Sequence, residues 1–134
     1  MDDVHDNPKN PWDSEIYPKP IYDLLLNLKE QYSNIPIIIT ENGVGYHDKL
    51  EDGKVHDQNR IEFQEGYLEW ILKVKKDGCD IRGYFIWSTM DLYSPVYGFE
   101  KRYGLVYIDY NDNCRRIPKD SYSWYKDFIA SVGE

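Results

Sequence analysis

Glu41 and Trp87 are the residues best placed to do chemistry, each closing a short apolar run. In "IIITENGVGY" three isoleucines and a threonine lead straight into a carboxylate, and Asn42-Gly43 then turns the chain. In "IRGYFIW" a second run ends on an indole. Parallel α/β sheets place their functional groups at the C-terminal ends of strands. A glutamate there is held rigidly where its solvation can be tuned, which suits a nucleophile or a general acid/base. A glutamate that merely sits in a turn fits the same position. An indole face suits the C–H face of a sugar ring, and a core packing role is the alternative. The histidines at 5, 47 and 56 have no ligand spacing, so no metal and no cofactor are expected.

The elements that must hold these residues follow from periodicity. Pro18 and Pro20 bracket a helix start, and Ile21, Leu24, Leu25, Leu28 and Tyr32 form one stripe until Ser33-Asn34 breaks it. Ile35 to Thr40 lacks alternation, which predicts a strand buried on both faces. A polar loop over 42–58 contains an Asp52-Gly53 turn signal, and its acidic residues read as a solvated face. A helix is expected over Arg60–Lys76 with Phe63, Tyr67, Ile71 and Val74 inward, stopped by Gly78. A strand over Ile81–Trp87 and a loop over 88–104 come next, then a hairpin at about 105–117 around Asn111-Asp112-Asn113. The last helix is expected over about 121–132, with Trp124, Phe128, Ile129 and Val132 inward, while Trp12 and Trp70 are also read as packing residues. Residues 1–15 read as a loop, and 16–134 as βα units of one domain. The class is α/β, but two parallel strands make a poor closed domain, so the chain reads as part of something larger.

Composition narrows the function. Hydrophobic residues make up 41% of the chain, enough for a core, and aromatic residues 16%, a load suited to stacking on flat ligands. Acidic residues outnumber basic ones 24 to 16, which argues against nucleic-acid partners. Two distant cysteines, Cys79 and Cys114, could pair but read first as free thiols of a reducing compartment. No run is apolar and long enough for a membrane span or a signal peptide, and a cytoplasmic location is expected.

Five stretches resemble glycoside hydrolase family 1 in the family's order. They are "WDSEIYPKPIYDLL", "TENG" after "IPIII", "DIRGYFIWSTMDLYS", "EKRYGLVYIDY" and "RRIPKDSYSWYK". The resemblance implies the C-terminal part of a TIM (β/α)8 barrel, from about helix 6 to strand 8 and helix 8, incomplete on its own because a whole barrel needs about 250 residues. It also implies retaining hydrolysis with Glu41 as nucleophile and a second carboxyl about 5 to 5.5 Å away. That acid/base lies in the family's Asn-Glu-Pro motif, which this sequence does not contain. Trp87 matches the family's sugar-stacking tryptophan. Ser94, with Lys101 seven and Tyr103 nine residues on, matches the family's 6-phospho-glycosidase branch. A hydroxyl, an ammonium and a phenol suit a phosphate dianion, which a carboxylate would repel. Lys101-Arg102 as a surface charge pair is the plainer alternative. Pro95 stands where phospho-galactosidases of the family often have Trp, which leans toward a phosphorylated β-glucoside as the binding partner. The remaining partner expected is the missing N-terminal part of the barrel, or a second copy of the chain. The fragment is expected to be inactive alone; a non-catalytic remnant that binds a sugar phosphate or another protein is the rival reading.

Overall fold

The computed structural model describes residues 7–132. The elements run α1 (Pro20–Gln31), β1 (Ile37–Asn42), α2 (Gln58–Lys76), β2 (Ile81–Ile86), β3 (Val106–Asp109), β4 (Arg115–Pro118) and α3 (Asp120–Val132). β1 and β2 pair in parallel, joined by the crossover that carries α2, and β3 and β4 form an antiparallel hairpin.

The ends of the elements follow from local chemistry. Pro20 opens α1 at a position whose N–H would have no partner in any case. Ser33 and Asn34 close it in the left-handed region, at φ of 56° and 55°. α2 ends where Gly78 adopts φ 98° and the Cys79 amide donates back to the Val74 carbonyl. The β-branched run of β1 suits a pleated, packed surface.

α1 and α2 cover one face of the β1–β2 pair. Leu25, Ile71, Val74, Cys79 and Ile81 are buried there, with Ile37, Ile39 and Tyr84 packed against them. Each such large aliphatic side chain contributes about 1.5–3 kcal/mol. Val44, Tyr46 and Phe63 make a second, smaller core where the loop after β1 crosses the start of α2.

Three expectations about burial need correction. β1 is not buried on both faces: Ile38 and, on β2, Phe85 are 55% and 60% exposed, because among the described residues the helices cover one side of the sheet only. In α1, Leu24 and Tyr32 of the expected stripe face outward and Leu25 holds the core. In α3, Ile129 and Val132 are exposed, since the helix packs through its first turns against α2 and β4. Trp124, Tyr125 and Phe128 stack on one another there.

Candidate active site

Glu41 and Asn42 are the last two residues of β1. The Glu41 side chain is exposed and forms no hydrogen bond or ion pair among the described residues. Its neighbour is tied down instead. The half-buried Tyr84 phenol donates to Asn42 Oδ1 at 2.9 Å, and desolvation raises the phenol's pKa so far that it stays a donor. The Trp87 amide donates to the Asn42 carbonyl at 2.9 Å. Gly43 then passes so close to Trp87 that a Cβ on it would stand 1.7 Å from the Trp87 carbonyl oxygen. The glycine of "TENG" is therefore required by a close approach, not by a left-handed backbone. The peptide bond from Trp87 to Ser88 is cis, and the Trp87 indole is 42% exposed.

Ser94, Lys101 and Tyr103 come together beside this end of the sheet. Ser94 is buried in a tight turn, exchanging two backbone hydrogen bonds with Gly98 at 2.8 Å each, and its hydroxyl accepts the Tyr97 amide. The Tyr103 phenol lies against the Ser94 hydroxyl; burial raises its pKa and the contact with Ser94 lowers it in part. Lys101 is 7% exposed, with its nitrogen 5.6 Å from the Tyr103 ring centre. Desolvation holds this ammonium below the ordinary lysine value. A hollow of about 330 Å³ is lined by Lys101 and Tyr103 together with Asn42 and Gly43, the two residues that follow Glu41, while Glu41, Trp87 and Ser94 lie outside its lining. The main chain binds the two ends of the loop after β2, since the Ser88 amide donates to the Tyr103 carbonyl and the Ser88 carbonyl accepts the Leu105 amide.

The loops after β1 and β2 also supply most of a buried ionic network that local sequence pattern does not indicate. Arg60 pairs with Asp48 at 2.7 Å and Asp57 at 3.1 Å. Lys119 pairs with Asp48 and, at 2.8 Å, with Asp91. Arg102 pairs with Asp91 at 2.6 Å and packs over the Tyr107 ring at 3.9 Å. Three carboxylates thus meet three cations out of water. Burial pushes the Asp48 carboxyl up and the Lys119 ammonium down, and their partners only partly offset this. The acidic loop is consequently not a solvated face: Asp48 and Asp57 are buried, while Glu51 and Asp52 alone of its acids stay out. Nor are Lys101 and Arg102 a surface pair. Lys101 and Tyr103 line the hollow, while Arg102 between them joins the network. Arg102 and Tyr46 exchange backbone hydrogen bonds at 3.0 and 3.1 Å, and the Arg60 guanidinium donates to the Arg102 carbonyl. The loops after β1 and β2 are locked together by these contacts.

Trp12 also belongs here and not to a remote packing site. Its indole lies 4.3 Å from the His47 ring, 5.6 Å from the Tyr97 ring and 4.8 Å from the Lys101 nitrogen. Among the described residues no group of three or more His, Cys, Asp or Glu could hold a metal ion. His56 pairs with Asp120 at 2.6 Å, and His5 lies outside the described residues. Cys79 is buried and Cys114 exposed, both as free thiols. No helix of the described residues is long and apolar enough to cross a membrane.

The model of the family described as "Glycosyl hydrolase family 1" matches residues 1–134. The chain belongs to glycosyl hydrolase family 1. Among curated members it is 47% identical over 120 residues to a 6-phospho-beta-galactosidase of Leptotrichia buccalis, a match covering 89% of this chain and 26% of that protein. It is 45% identical to a 6-phospho-beta-galactosidase of Clostridium acetobutylicum, covering 89% and 25%. Among solved structures, the family 1 β-glucosidase from Thermotoga maritima superposes with a TM-score of 0.89 at 39% identity, covering 93% of this chain and 28% of that one. Its complex with glucoimidazole gives 0.88 at 40%. The chain spans about a quarter of the length of these family members, and its α/β units are a portion of their TIM barrel.

Proposed function

We propose that this chain is the nucleophile-bearing portion of a retaining 6-phospho-β-glycosidase. Glu41 attacks the anomeric carbon and the bond to the leaving oxygen breaks. A carboxyl outside this chain supplies the proton, and water then cleaves the glycosyl ester. Trp87 lies under the sugar ring. Ser94, Lys101 and Tyr103 take the 6-phosphate. The observation that carries this reading is the shared hollow: Lys101 and Tyr103 line the same cavity as Asn42-Gly43, directly after Glu41. A buried cation without a carboxylate partner is suited to an anionic ligand. The family's curated members named for a phosphorylated galactoside support the same substrate class.

The epimer is a finer matter. Pro95 leaned toward the glucoside, while the curated relatives are named for the galactoside, at an identity that runs over 120 residues. The galactoside is the substrate we put first. Without the second carboxyl, the chain alone is expected to be inactive.

A chimaera tests the proposal, with this chain replacing the matching segment of the Leptotrichia buccalis enzyme. Nitrophenyl 6-phospho-β-galactoside and 6-phospho-β-glucoside are compared with their unphosphorylated forms. Glu41→Ala should abolish all turnover, and a 2-fluoro glycoside 6-phosphate should label Glu41. Lys101→Ala should raise KM for phosphorylated substrates about 10- to 150-fold, the range of a hydrogen bond to a charged group, with kcat little changed. Ser94→Glu should go further, by setting a negative charge beside the phosphate. Equal loss on phosphorylated and unphosphorylated substrates would make Lys101 structural and overturn the phosphate assignment.

A further inference from the structure

Lys101 is held in an unusual way for a buried cation. Its stem lies against the Gly45 backbone, where a Cβ would meet Lys101 Cγ at 2.4 Å. Its nitrogen stands 4.2 Å from the Tyr97 ring centre, 4.8 Å from that of Trp12 and 5.6 Å from that of Tyr103. Among the described residues it forms no ion pair and no hydrogen bond. Glu15 lines the same cavity without pairing to it. The neighbouring cations Arg60, Arg102 and Lys119, by contrast, all have carboxylate partners.

A ring face attracts a cation through its quadrupole but carries no net charge. It can therefore fix the position of an ammonium without neutralising it, whereas a carboxylate would do both. The rings are themselves secured. The Trp12 amide donates to Asn10 Oδ1 at 2.9 Å and its indole packs on His47, while the Tyr97 amide donates to the Ser94 hydroxyl at 3.2 Å. We infer that Trp12 and Tyr97 are positioning residues for phosphate recognition: they box the Lys101 ammonium in place with its charge uncompensated, ready for a sugar 6-phosphate. This rests on the proposed role of Lys101 in binding that phosphate, and adds the segment before α1 to the specificity apparatus.

The test uses the 134-residue chain and nuclear magnetic resonance, with galactose 6-phosphate as probe and galactose as control. Without ligand, the Lys101 ε-methylene protons should resonate upfield through the ring currents of the box. Galactose 6-phosphate, and not galactose, should shift the Trp12 indole N–H. Trp12→Phe keeps a ring face and should hold the affinity within about twofold. Trp12→Leu keeps bulk alone and should weaken binding about fivefold or more, a loss in the range of one cation–π contact. It should also return the ε-methylene protons toward their ordinary position. Tyr97→Leu should act in the same direction and stands in if Trp12→Leu loses its dispersed spectrum. Galactose 6-phosphate binding that survives both leucine variants unchanged would overturn the box while leaving the phosphate reading intact. A wild-type chain that treats galactose 6-phosphate and galactose alike would overturn the phosphate reading, and the inference with it.

Discussion

Gly43 and Trp87 share a space with no room for a methyl group, because a Cβ on Gly43 would stand 1.7 Å from the Trp87 carbonyl oxygen. The obstacle is backbone at the end of β2, not a side chain that could turn aside. Gly43→Ala must therefore separate the two strand ends that carry Glu41 and Trp87. A destabilisation of about 1–3 kcal/mol is expected for such overpacking. Urea denaturation of the chain measures it. An unchanged midpoint would mean that the loop after β1 has slack the packing does not suggest.

Asp91 should be the most sensitive acid in the molecule. Its side chain is fully buried, pairs with Arg102 and Lys119, and accepts the Gly104 and Ile108 amides. Asp91→Ala leaves two buried cations short of charge and should cost about 3–5 kcal/mol. Lys9→Ala removes the exposed partner of Asp13 and should leave the denaturation midpoint where it is. Similar effects from the two would contradict the buried network.

Lys101 predicts two opposite alkaline trends. Desolvation holds its folded-state pKa below the ordinary 10.5. Between the two values the folded chain binds fewer protons than the unfolded one, so stability contributed by this group rises with pH there. The charge offered to phosphate disappears across the same window. Galactose 6-phosphate affinity should thus decline before an ordinary lysine would titrate, and Lys101→Arg should postpone the decline. Affinity that is flat to pH 10.5 would remove Lys101 from the site.

The open face of the β1–β2 pair should drive self-association. Ile38 and Phe85 stand next to each other there, more than half exposed, and a two-stranded sheet has an edge on either side. Sedimentation velocity should show association that grows with concentration, and Ile38→Glu with Phe85→Glu should reverse it. A wild-type monomer at high concentration would contradict the prediction.

The sequence was most readable where the signal is local. Ser33-Asn34, Asp52-Gly53 and Gly78 announce left-handed turns, and the structure has all of these residues at positive φ. The isoleucine run ending in Glu41 marks β1, although the strand begins two residues later than expected and includes Asn42. Burial set by distant partners was not readable. Asp48 and Lys119 lie 71 positions apart, and nothing in a loop of mixed charge indicates that two of its aspartates turn inward while Glu51 and Asp52 stay out. Trp12 reads as a packing residue for the same reason, since the rings and the lysine it meets arrive from the loops after β1 and β2. In α3 the apolar spacing was sound, but the face it predicts is wider than the surface the helix has to cover.

The six-charge network also limits how this region can diversify. It draws on both loops, the start of α2 and the end of the hairpin, and it balances only as a set. Replacing one loop with an unmatched one would remove two of the six charges and strand their partners. New substrate preferences are therefore more accessible by exchanging single residues outside the charge network, such as Ser94, Pro95, Lys101 and Tyr103, than by grafting whole loops. A mutational library confined to those four positions, on an untouched charge cluster, is the economical way to search for them.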